Sequence, residues 1–305
     1  MKFYPKISIC GFAFVVWLLA ASGTIAAATS PTADKLQTDK ETRIMQEFYQ
    51  RIQTNRTPAQ LLPFITENIP SVSPYSASVM VLQLERAQLA MLPWLQSSYE
   101  NEEVQNELKT DFSRGIQPDI VQKEALKKLW IITRSNGFKL ETAEGMYFPV
   151  IDYSAVRAFR TYVTPDIAAY IDIMFEESEA MPVKDGALRL GWEELAVRAE
   201  ERQLFLHTYS GSIKAGEIEK LYTNYLACLL FGTNNTPMFH YEDQQMDAAA
   251  IKAYQGLEPE RTEKGIGKIL KDFIEIAARN NYKLTPEVDS YRREIFSGSR
   301  QAAIN

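Results

Sequence analysis

Two short stretches concentrate the side chain types from which a polar binding site is built. The first is Glu144-Gly145-Met146-Tyr147-Phe148-Pro149-Val150-Ile151-Asp152-Tyr153, which packs aromatic rings, a proline and two carboxylates into ten residues. The second is Gly232-Thr233-Asn234-Asn235-Thr236-Pro237-Met238-Phe239-His240-Tyr241-Glu242-Asp243, where amides and hydroxyls precede rings, an imidazole and acids. Rings give contact area at low entropy cost, and amides fix a ligand's orientation. Tyr147, Asp152, Asn234, Asn235, His240 and Tyr241 are therefore the expected ligand-binding residues. The competing expectation is that both stretches are ordered connections, with Asn and Thr satisfying nearby backbone groups and the rings plugging the core.

Catalytic constellations are sparse. The chain has only two histidines, His207 and His240, far apart and outside any two-histidine helical motif, so a zinc site is not expected and no cofactor is implied. Tyr209-Ser210-Gly211-Ser212 lacks the preceding strand that a nucleophilic serine turn requires. Cys228 sits in the apolar run Tyr225 to Phe231, where a buried, inert thiol is expected. Asp172, Glu176 and Glu179 form an acidic stripe that reads as a solvated helix face, because carboxylates on a rigid helix seldom converge on one calcium ion. Glu194, Arg198, Glu201 and Arg202 are spaced to pair along one face of a helix, and the expectation is an exposed lattice. Buried between helices, the same residues would make a ligand clamp through Arg198 or Arg202.

One segment carries a family likeness. Phe175-Glu176-Glu177-Ser178-Glu179-Ala180-Met181-Pro182-Val183-Lys184-Asp185-Gly186-Ala187 resembles the catalytic segment of lytic transglycosylases, in which a helix ends in Glu-Ser and is followed by a proline and a Gly-Ala pair. The resemblance implies that Glu177 is a catalytic acid acting on a glycan, which requires a desolvated, protonated carboxyl. It is confined to this segment. The Gly-Leu-Met-Gln run expected next is replaced by Leu188-Arg189-Leu190-Gly191.

The elements that must position these groups are helical. Apolar residues recur at three- and four-residue spacing over 58–68, 75–98, 102–114, 118–135, 165–180, 188–207, 215–231 and 260–280. Ile167, Tyr170, Ile171, Met174 and Phe175 form the apolar stripe of one such helix, and residues 79–95 read as a central buried helix too charged to cross a membrane. Thr57-Pro58, Ser73-Pro74, Thr164-Pro165 and Thr285-Pro286 each join a hydroxyl cap to a proline at the first helical position. Asn136-Gly137 and Asn280-Asn281 supply left-handed helix ends. The best strand candidate is 146–151. The expected fold is all-α, a multi-helix orthogonal or bundle-like globular protein. An internal likeness of 114–119 to 255–260, and of 126–140 to 270–284, raises two similar helical lobes from a duplication, against the alternative of one capping solution used twice.

The address is set by the first residues. Lys2 and Lys6 precede an uncharged run from Ile7 to Ala21 and a small-residue stretch ending in Ala26-Ala27-Ala28, the pattern of a cleavable secretory signal. Residues 1–28 are the expected leader, with the mature chain from Thr29 divided into lobes at 29–145 and 146–305, or forming one continuous domain. An uncleaved N-terminal anchor is the alternative; lipid attachment is not expected, because Cys10 lies near the start of the apolar run. The composition, 46% hydrophobic and 24% charged, is that of a folded globular chain. A formal charge of −6, lowered further by loss of two leader lysines, gives no footprint for nucleic acid.

These observations describe an exported helical binding or interaction protein of the bacterial envelope. Its expected partner is an envelope protein or a polar small molecule, with no nucleic acid and no membrane insertion after cleavage. A glycan-cleaving enzyme using Glu177 and a purely structural envelope protein are the alternatives.

Overall fold

The computed structural model describes residues 31–54, 57–113, 124–258, 261 and 263–302, so the leader and the 114–119 turn lie outside the described residues. The chain separates into a unit of residues 1–40 and a unit of residues 41–305. Side-chain packing and sites below belong to the second.

Among the described residues the fold is all-α. The helices are α1 (Pro31–Gln53), α2 (Pro58–Asn68), α3 (Pro74–Tyr99), α4 (Glu102–Ser113), α5 (Glu124–Ser135), α6 (Ser154–Arg157), α7 (Pro165–Glu179), α8 (Trp192–Thr208), α9 (Ala215–Phe231), α10 (Ala248–Gln255), α11 (Gly265–Arg279) and α12 (Pro286–Ala302). All four predicted Ser/Thr-Pro junctions open a helix, at Pro58, Pro74, Pro165 and Pro286. Their caps differ in detail. Thr57 N–H donates to Gln60 Oε1 at 3.0 Å, and Ser73 Oγ accepts from Ser76 N–H at 3.4 Å. Thr164 instead turns its hydroxyl to Ser78 Oγ, 3.0 Å away on α3, so the cap residue joins two helices.

Among the described residues three buried clusters hold the helices together. One gathers Trp192, Leu195, Leu226, Leu230, Tyr254, Phe273 and Val288 from α8 to α12. A second joins Phe48, Leu61, Ile65, Met80, Leu84, Ile167 and Ile171. The third joins Leu95, Tyr99, Phe138, Tyr170, Phe205 and Ile218. The predicted stripe of α7 divides between the last two, with Ile167 and Ile171 in one and Tyr170 in the other. Helix α3 crosses the same two clusters, although Leu89 and Trp94 on its outer side are half exposed.

Among the described residues extended backbone occurs as three antiparallel hairpins. The predicted strand 146–151 is β2 (Met146–Ile151), and its partner β1 (Phe138–Ala143) follows the left-handed Gly137 directly. The others, β3 (Val183–Lys184) with β4 (Ala187–Leu188) and β5 (Gly232–Thr233) with β6 (Thr236–Pro237), are too short to carry any periodic signal. Glu144-Gly145 and Asp185-Gly186 turn with positive φ at both residues (50° and 72°, 52° and 70°), the backbone that matches strand twist in two-residue hairpins.

Candidate functional site

Helix α8 carries Leu195, Ala199 and Arg202 along one stripe, and the stripe faces α7 and α9. Arg202 is 0% exposed and Arg198 4%, so the expected exposed lattice is overturned: its two cations are buried between helices while Glu194 and Glu201 stay half exposed at the rim. Arg202 Nη1 donates to Arg198 O at 3.2 Å and to Glu201 Oε2 at 2.9 Å. Its Nη2 donates to Glu177 Oε1 at 2.7 Å and pairs with Glu176 Oε2 at 2.5 Å. Arg198 donates to Ala180 O at 2.7 Å, satisfying the carbonyl just past α7, and to Glu194 Oε1 at 2.8 Å. Its Nε lies 3.3 Å from Glu176 Oε1. Burial opposes the charge of each guanidinium. For Arg198 the hydrogen bonds to Tyr225 and Glu194 outweigh it, and for Arg202 the surrounding Tyr225, Glu177 and Glu176 do, so both remain firmly cationic.

Tyr225 completes this cluster. Its hydroxyl donates to Glu177 Oε1 at 2.6 Å, and its ring lies 5.0 Å from the Arg202 guanidinium carbon. Burial, then the neighbouring Glu177 carboxylate, push the phenol far above its ordinary range, which keeps it a donor. Burial and the nearby Glu176 raise the Glu201 carboxyl above the usual carboxylate value.

Adjacent acids on α7 border different cavities. Glu176 lines a cleft of about 720 Å³ with Arg157, Arg160, Asp172, Glu179, Arg198, Leu204 and Phe205. Glu177 lines a second cavity of about 460 Å³ with Val183, Leu221, Asn224, Tyr225, Cys228 and Thr233. Arg202 pairs with both acids and so lies between the two spaces. The acidic stripe of α7 is also not simply solvated. Asp172 meets Arg160 at 2.7 Å and Arg157 at 3.7 Å, and Glu179 meets Lys139 at 2.7 Å.

The residues singled out in the sequence are placed elsewhere. Tyr147 sits on β2, where its N–H donates to Gln105 Oε1 at 2.9 Å and its carbonyl accepts from Gln105 Nε2 at 2.7 Å. Asp152 Oδ1 accepts from Ser154 N–H at 2.9 Å, opening α6. Asn234 and Asn235 form the β5–β6 turn. Asn235 Nδ2 donates to Asp185 O at 2.6 Å and its N–H to Gly186 O at 2.8 Å. Tyr241 OH donates to Asn234 O at 3.3 Å, while His240 and Tyr241 are exposed. Asp185 joins the two predicted stretches, because its carboxylate also accepts from the Glu144 N–H. The three hairpin turns are thus drawn together through Asp185 and Gly186, and the Asn and Asp groups there satisfy backbone partners of the neighbouring turns.

A second buried cluster escaped the sequence reading. Glu85 of α3, 5% exposed, accepts from Tyr153 OH at 2.6 Å, from Tyr170 OH at 2.5 Å and from Lys214 Nζ at 2.5 Å. Lys214 also donates to Tyr170 OH at 3.0 Å and to Glu217 Oε2 at 2.8 Å. Burial first, then the Glu85 carboxylate, pushes Tyr153 far up, and burial, then the Tyr153 phenol and Glu85, does the same to Tyr170. A usable signal existed: Glu85 shares the α3 stripe of Val81 and Leu84, just as Arg202 shares that of Leu195 and Ala199. A charge on an apolar stripe predicts a buried partner.

Glu177 is 13% exposed and receives two hydrogen bonds on Oε1, from Arg202 and Tyr225. A proton-donating carboxyl is instead set in an apolar shell. This setting suits an acceptor or an ion-pair partner. Among the described residues no group of three or more His, Cys, Asp and Glu side chains is placed to hold a metal ion, and no helix is long and apolar enough to cross a membrane. No known family model, curated protein or solved structure matches the chain.

Proposed function

We propose that this chain is an exported helical binding protein of the cell envelope and that the cleft between α7 and α8 receives its ligand. The carrying observation is a cleft of about 720 Å³ whose wall includes Arg198, 4% exposed and fixed by Glu176, Glu194 and Ala180 O. Small-molecule sites occupy roughly 300–1,000 Å³ and combine apolar walls with a few oriented polar groups. Arg157, Arg160 and Arg198 line this space together with Asp172, Glu176, Glu179 and Glu201. Both signs of charge in one cleft fit a small zwitterion, of the amino acid or short peptide class.

Calorimetric titration of the mature chain with amino acids and dipeptides tests the reading. Saturable binding is expected, and Arg157→Ala should weaken it about tenfold without lowering Tm, because Arg157 is half exposed and outside the buried cluster. A panel that gives no binding removes the proposal, and crosslinked partners without any small-molecule response would favour a purely structural envelope role. N-terminal sequencing of the extracytoplasmic fraction should find Thr29 first. The glycan-cleaving alternative retains one supporting observation, that Glu177 borders a cavity. Turnover of an envelope glycan that vanishes in Glu177→Gln would establish it over the binding reading.

A further inference from the structure

The cavity on the far side of Arg202 is distinct from the α7–α8 cleft and has a different chemistry. Its walls include the apolar Pro182, Val183, Leu221 and Ala227, and among the described residues Glu177 is the only carboxylate that lines it. Among the described residues no arginine or lysine lines it. Thr233 lines the cavity as well, and its Oγ1 is buried without a hydrogen-bond partner. Both hydrogen bonds that Glu177 receives fall on Oε1, from Arg202 and Tyr225.

Charge decides what could enter. Arg202 faces Glu176, Glu177 and Glu201 at 2.5, 2.7 and 2.9 Å, and Arg198 faces Glu176 and Glu194 at 3.3 and 2.8 Å. Two guanidiniums therefore meet four carboxylates, and the cluster is short of positive charge. From this we infer that the cavity binds a small organic ammonium ion, its charged head on Glu177 and its apolar body along Val183 and Leu221. The site does not depend on the zwitterion cleft, since Glu177 borders one cavity and Glu176 the other.

Cys228 lines the cavity and is the only cysteine downstream of the leader, which provides a direct readout. Burial raises its thiol above the ordinary value, so alkylation should be followed at alkaline pH. Butylammonium at about ten times its dissociation constant should slow alkylation of the mature chain by iodoacetamide about tenfold. The uncharged 1-butanol should slow it much less, and in Glu177→Gln the amine should protect no better than the alcohol. Glu177 is embedded in the ion cluster, so a second variant, Asn224→Asp, places another carboxylate on the cavity wall and should strengthen protection by the amine. Equal protection by amine and alcohol, no protection by either, or no gain in Asn224→Asp overturns the inference. Calorimetry with zwitterions reports separately on the α7–α8 cleft, so failure at one site is distinguishable from failure at the other.

Discussion

Two clusters of buried charge hold α7 against its neighbours, and they are built on opposite principles. Around Lys214 the accounts close inward. An ammonium has three protons, and Lys214 spends them on Glu85, Tyr170 and Glu217. Around Arg198 and Arg202 they do not close: neither Nε makes a hydrogen bond, and Glu176 and Glu177 each border a cavity. The lesson is that burial alone does not mark a site. A saturated cluster ties helices together, whereas one whose carboxylates border open space can address a ligand.

Breaking each cluster at its cation should separate the two roles. The Lys214 side chain is 12% exposed and the Glu85 side chain 7%, so Lys214→Ala strands a carboxylate that water barely reaches. The expected loss is about 3–5 kcal/mol in urea unfolding. Arg202→Met should cost less, about 2 kcal/mol, because Glu176 and Glu201 are 32% and 52% exposed and can turn to solvent when the guanidinium is gone. Equal losses would mean that the arginine cluster is as sealed as the lysine cluster, and the contrast would collapse.

The smallest effect concerns the acid excess itself. Glu201 has a raised pKa in the folded chain, from burial and from Glu176, so the folded state holds that proton more tightly than the unfolded one. The stability it contributes is fully present below the unfolded value and is lost as pH rises through the folded value. Glu201→Gln keeps an acceptor for Arg202 and removes the charge. It should stabilise the protein near neutral pH by about 0.5 kcal/mol, a modest figure for a half-exposed side chain, with the gain vanishing in acid. Thermal unfolding across pH 3–8 checks this, and a gain that persists at pH 3 would mean that charge excess is not its cause.

Why the clusters were harder to read than the helices follows from their geometry. The period of α9 placed its bounds at 215–231, and Thr57-Pro58 marked where α2 starts, because capping and amphipathicity act within a few residues. The hairpin β3–β4 left no such trace, since two residues per strand cannot show alternation. The reading of the two stretches as ordered connections agrees with Asn235 and Asp152, whose side chains satisfy backbone groups. What could not be read was that Asp185 gathers those turns.

The sequence by itself determined the helical fold class, the proline-capped helix starts and the strand 146–151, because each depends on contacts between neighbours in the chain. It also carries the leader pattern on which the proposed export rests. Only the tertiary structure decided that Arg198 and Arg202 are buried rather than solvated, that Glu85 meets Lys214, and that Glu176 and Glu177 border separate cavities. Those facts depend on groups from α3, α7, α8 and α9 meeting across long stretches of chain, and helical periodicity states which face is apolar without saying what packs against it.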